Sequence, residues 1–157
     1  MSQPGVIDGL QFARTEGVLE GRLILAQLPR LAESQCATEG LTYAVRGEIG
    51  PEGRPRLRIW VRGTLQMVCQ RCLGPVALPL EIDADLVLSG SRAEIETADD
   101  DVDYIFAGKA MAVSELVEEE VLLVLPMAPR HEQCKGIAAD APQRKSSPFA
   151  VLGKLKG

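Results

Sequence analysis

A length of 157 residues suits one domain, and the 46% hydrophobic content supports a real core built mostly from Val, Leu, Ile and Ala, because aromatics make up only 4%. A formal net charge of −5 argues against loose attraction to nucleic acid, so any RNA contact has to come from a local basic patch. No run reaches the length of a membrane span, and Met1 to Gly5 lack the features of a signal peptide; the chain is expected in the cytoplasm, where thiols stay reduced.

Val18 to Leu25 alternates around Gly21 and predicts a strand. Ala26 to Glu33 is a short helical stretch around Leu28 and Leu31, confined to a first turn by Pro29. Leu41 to Ile49 alternates again, with Leu41, Tyr43, Val45 and Ile49 on one side. Gly50 to Arg54 is a turn signal and Pro55 opens the next run.

That run places Leu57, Ile59, Val61, Leu65, Met67 and Cys69 on one face, with Arg56, Arg58, Trp60, Arg62, Thr64 and Gln66 on the other. After Gly74 and Pro75 a further strand shows Val76, Leu78, Leu80, Ile82, Leu86 and Leu88 on one face and Glu81, Asp83 and Asp85 on the other. Such alternation predicts an antiparallel meander with one buried face. Glu94, Glu96, Asp99, Asp100, Asp101 and Asp103 have no clear apolar period and read as a solvated acidic loop.

Val113 to Leu125 predicts a helix with Ser114 as N-cap, an inward stripe of Val113, Leu116, Val117, Val121, Val124 and Leu125, and Pro126 as its stop. Glu115, Glu118, Glu119 and Glu120 suit the positive end of its dipole. The expected architecture is α+β: an antiparallel meander with one main helix packed on its apolar face, over residues 1–136. Residues 137–157 read as a linker and a basic tail carrying a small apolar island, Pro148 to Leu152.

Three of the four cysteines and the single histidine fall into two short motifs, Cys69-Gln70-Arg71-Cys72 and His131-Glu132-Gln133-Cys134. A two-residue gap lets paired ligands share one ion, and Gly74, Pro75 and Gly136 supply the bends. Cys69, Cys72, His131 and Cys134 are therefore candidate ligands of a structural zinc that pins two distant segments together. The same residues also fit core thiols beside a surface histidine. Cys36 stands outside the arrangement and is expected as a buried small residue. Thioredoxin-like chemistry needs its cysteines at a helix N-terminus, and Leu73-Gly74-Pro75 does not open a helix.

Arginine pairs bidentately with phosphate and an exposed aromatic stacks on a base, so Arg56, Arg58, Trp60 and Arg62 form a candidate RNA face. The adjacent strand offers Glu81, Asp83 and Asp85 within reach, and cross-strand ion pairs are the alternative. Glu48 stands in the same relation to Arg56, while a five-residue turn sets Arg46 opposite Arg58. The tail residues Arg144, Lys145, Lys154 and Lys156 have few acidic neighbours and are the second candidate. The sequence shows no Gly-rich phosphate loop, no nucleophile elbow and no second histidine. No catalytic residue and no small-molecule substrate are expected.

The order and spacing of these motifs resemble the YceD family, the large ribosomal RNA subunit accumulation proteins. The resemblance rests on Val68-Cys69-Gln70-Arg71-Cys72-Leu73, on Glu118 to Pro126 running into Pro129, His131 and Cys134, and on Pro148 to Leu152 with Lys154 and Lys156. Gly17 to Gly21 and Leu28 to Leu31 extend it over nearly the whole chain. It implies a non-enzymatic role in the synthesis, processing or stability of large-subunit ribosomal RNA, with that RNA, a pre-ribosomal particle or a ribosomal protein as partner. It also carries Cys69, Cys72 and Cys134 over as metal ligands. Many members have a cysteine where this chain has His131, a departure that preserves a ligand type. An adaptor touching no RNA, working through the acidic loop and the Glu-rich helix, is the competing expectation.

Overall fold

The structure is a computed structural model that describes residues 5–98 and 101–136, together with Pro148, Phe149, Leu152 and Lys154. In chain order its elements are β1 (Val6–Ile7), α1 (Gly9–Arg14), β2 (Val18–Leu23), α2 (Pro29–Glu33), β3 (Leu41–Ile49), β4 (Pro55–Val68) and β5 (Pro75–Ser89), followed by α3 (Arg92–Thr97), β6 (Tyr104–Phe106), β7 (Met111–Ala112) and α4 (Val113–Val124).

The period-two pattern builds a mixed α+β fold around a five-stranded sheet of order β2-β3-β4-β5-β6. β2 to β5 form the antiparallel meander, and β6 joins parallel to β5, a departure from a pure meander. A separate pair, β1 with β7, ties the start of the chain to the start of α4. Its backbone bond from Val113 N–H to the Gly5 carbonyl measures 3.0 Å.

One apolar face of the sheet carries the core. Leu41, Val45, Leu57, Ile59, Val61 and Leu65 are fully buried there against Ala13 of α1, Leu31 of α2 and Val113, Val117 and Val121 of α4. Each such side chain contributes about 1.5–3 kcal/mol by leaving water. Gly47 lets α1 lie directly on β3, because a Cβ there would come within 2.4 Å of the Phe12 carbonyl oxygen.

Several expectations need correction. Ile49 sits at the strand end and is exposed, so the buried face of β3 stops at Gly47. Ala112, not Ser114, occupies the N-cap position of α4, and no side chain caps it. Val124, the last helical residue, is exposed, whereas Leu122 and Leu125 pack against the core cluster; Leu125 is already extended (φ −63°, ψ 129°), as the following proline demands. The acidic stretch is not wholly loop: Glu94 and Glu96 lie on α3, whose first turn is capped by Ser91 accepting from Glu94 N–H. Asp99 and Asp100 lie outside the described residues. Among those described, no helix is long and apolar enough to cross a membrane.

Candidate metal centre

The apolar alternation of β4 ends by burying Cys69 completely, as it buries Leu65 and Met67 before it. The chain then reverses in a knuckle. Cys69 N–H donates to the Gly74 carbonyl (2.8 Å) and Leu73 N–H to the Cys69 carbonyl (2.9 Å). Leu73 holds a left-handed backbone (φ 59°), a conformation costing about 1–2 kcal/mol for a residue with a side chain, which the closed turn imposes. Pro75 then opens β5.

After α4, Pro126 ends the helix and the chain returns alongside this knuckle. Gln70 N–H donates to the Pro129 carbonyl at 2.8 Å, and Pro129 itself is buried. That one bond sets His131 and Cys134 opposite Cys69 and Cys72. The ligand atoms of all four residues lie within 4.8 Å of one another.

Two of those separations are diagnostic. Cys69 Sγ lies 3.8 Å from Cys134 Sγ, and Cys72 Sγ lies 3.4 Å from His131 Nδ1. A tetrahedral ion with metal–sulfur bonds of about 2.3 Å and a metal–nitrogen bond of about 2.0–2.1 Å has sulfur–sulfur edges near ~3.8 Å and sulfur–nitrogen edges near ~3.5 Å. Those two edges match such an ion, and the remaining separations all lie within 4.8 Å. His131 Nε2 lies 2.8 Å from the Pro75 carbonyl. Only an N–H can sit there, and the tautomer that carries it on Nε2 presents the Nδ1 lone pair to Cys72 Sγ, the usual outer-shell arrangement of a metal-bound histidine.

Electrostatics agree with the geometry. Burial raises the Cys69 thiol, but the backbone amides of Cys72, His131 and Arg71, with the Cys72 side chain, outweigh it and hold Cys69 down to about 5. Cys134 is pushed up, first by burial and then by the hydrogen bond and charge of Cys69 and the charge of Cys72. Without a cation the site thus favours one thiolate and resists a second, which is the imbalance a divalent ion relieves.

A titration follows from this. In metal-free protein, ultraviolet thiolate absorbance should show its first step near pH 5, absent from Cys69→Ser. Because the folded value lies below the ordinary thiol value of about 8.5, the stability linked to this thiolate is complete above the unfolded value and is lost as pH falls through about 5. A first step at the ordinary thiol value would remove the amide cradle from the account.

The arginine stripe forms as the register requires, with Arg46 opposite Arg58 and Arg62 opposite Glu81. Arg56 pairs with Asp85 (2.8 Å), Arg58 with Asp83 (3.3 Å) and Arg62 with Glu81 (2.9 Å). Arg58 also lies over the Trp60 ring, 5.3 Å from its centroid. Three cations thus meet three carboxylates, and one face of the tryptophan is covered. These exposed pairs are worth about 0–1 kcal/mol each. Glu48 is in register with Arg56. Of the tail candidates, Lys154 is exposed, while Arg144, Lys145 and Lys156 lie outside the described residues. Cys36 is buried and donates to the Leu31 carbonyl, away from the four ligands.

A model of the large ribosomal RNA subunit accumulation protein YceD matches residues 57–156, well over half of the chain. The chain belongs to the YceD family. No curated protein and no solved structure matches it significantly. The YceD stretch takes in β4 from Leu57, β5, α4 and both halves of the ligand group, so both segments that the 2.8 Å Gln70–Pro129 bond joins lie within the matched span. The family name ties the chain to accumulation of the large ribosomal RNA subunit.

Sequence reasoning missed one residue inside this YceD stretch. Glu118 reads as a helix-surface acid but is only 2% exposed. Its Oε1 accepts from Leu31 N–H (2.9 Å) and its Oε2 from Arg30 Nε (3.1 Å). The N-cap of α2 is Leu28, which has no side-chain oxygen, so α4 supplies the missing cap from 87 positions away. The signals were an uncapped helix start at Pro29 and a carboxylate at the edge of an apolar stripe.

Proposed function

We propose that this protein is a non-enzymatic ribosome-biogenesis factor in the cytoplasm that supports the synthesis, processing or stability of large-subunit ribosomal RNA by binding that RNA or its precursor particle. A structural zinc at Cys69, Cys72, His131 and Cys134 holds its binding domain (residues 1–136) together, and residues 137–157 form a basic tail. The observation that carries the reading is the family match spanning both ligand pairs.

The ligand group itself argues for a structural role. Four protein side chains fill a tetrahedron and leave no position for water or substrate, whereas catalytic zinc keeps one open. Crosslinking in cells followed by sequencing of the attached RNA tests the proposal. Reads should concentrate on large-subunit ribosomal RNA, and background coverage there would refute it. Deleting Pro142 to Gly157 should weaken co-sedimentation with large-subunit precursors.

The second reading, an adaptor that touches no RNA, draws on an exposed apolar ridge at the end of α4, where Leu123, Val124 and Met127 face solvent. Salt separates the two readings, since phosphate contacts weaken steeply with added salt and apolar docking does not.

A further inference from the structure

We propose that the rim of the metal centre, formed by Arg71, Arg130 and Lys135, grips the phosphate backbone of the ribosomal RNA; this rests on the RNA-binding reading above. Arg71 lies between the ligands Cys69 and Cys72, Arg130 directly precedes His131, and Lys135 directly follows Cys134. The Gln70–Pro129 bond sets the first two segments side by side. Gly136 closes the rim on Arg71: a Cβ there would lie 3.7 Å from Arg71 Cγ and 3.8 Å from Nε.

All three cations are exposed, and among the described residues none of them forms an ion pair. The stripe arginines, by contrast, are each neutralised by a strand carboxylate. Within the two motifs the one opposing carboxylate is Glu132. A divalent ion with three thiolates adds one negative charge, and the rim still remains net positive on a chain of net charge −5. An approaching polyanion is repelled by the acidic helix face and drawn here. Arginine forks pair bidentately with phosphate, and a cross-braced loop loses little freedom in doing so.

The test uses full-length protein and a large-subunit ribosomal RNA transcript, with affinity measured across a salt series. The triple variant Arg71→Gln/Arg130→Gln/Lys135→Gln should bind at least tenfold more weakly than wild type. It should also flatten the salt slope by about 2–3, at about 0.7–0.9 per phosphate contact. Arg56→Gln/Arg58→Gln/Arg62→Gln should leave that slope unchanged. The single variant Glu132→Lys, which removes no cation, should tighten binding severalfold and steepen the slope. Wild-type affinity and slope in the rim triple overturn the rim while leaving RNA binding standing, and an unchanged Glu132→Lys does so even where the triple fails to fold. Failure of the wild-type protein to bind the transcript overturns both proposals. A rim variant that loses a protein partner yet keeps RNA affinity also overturns the rim.

Discussion

Glu118→Ala should melt roughly 2–12 °C below the wild-type protein. Among the described residues the carboxylate is the only side-chain cap at the N-terminus of α2, and its loss leaves the buried Leu31 N–H without an acceptor, a penalty of about 1–3 kcal/mol. Removing its bond to Arg30 adds less, because that guanidinium is half exposed and regains water. At about 2–4 °C per kcal/mol for a chain of this size, the total gives the stated shift. Two comparisons identify the mechanism. Glu118→Gln keeps an acceptor for Leu31 and should lose about 1 kcal/mol, while Arg30→Ala should lose still less. If Glu118→Ala and Arg30→Ala melt alike, the ion pair and not the cap is what matters.

Metal removal is the second large effect. Purified protein should carry about one zinc per chain, and Cys69→Ser and Cys134→Ser should each reduce it to background. With free zinc at a hundred times its dissociation constant, the ion adds about 3 kcal/mol, so chelation should lower the melting temperature by roughly 6–12 °C. The loss should be local. Protection of the Gln70 amide, which donates to Pro129, should vanish, while amides in the β3–β4 ladder stay protected. Protein that contains no metal, or whose Gln70 amide is indifferent to chelator, would sink the centre.

Much of the fold was legible because period-two alternation survives wherever a strand has one wet face. β3 begins and ends at the residues its pattern predicts, and β4 and β5 extend theirs by no more than two positions. What escaped is held by tertiary contact. β1, β7 and β6 are two or three residues long, too short to carry a period, and α1 exists where Gly47 leaves room for its backbone. The ligand set was readable from cysteine spacing, since a metal needs specific atoms. The site's preferred thiolate was not, because it depends on amides contributed by both chain segments. Nor could spacing decide the arginine stripe, where Arg58 stands opposite Asp85 yet pairs diagonally with Asp83, leaving Asp85 to Arg56. Glu118 was hidden for a related reason: helical periodicity marks apolar stripes and says nothing of a polar partner arriving from another element.

The contact from Cys72 to His131 spans 59 positions and encloses β5, α3, β6, β7 and α4. A covalent crosslink closing a circle of that size would restrict the unfolded chain by about 4 kcal/mol. An ion does the same for a reduced chain, but reversibly. With an ion held there, the supply of metal, more than any oxidant, would set how often this molecule ravels open.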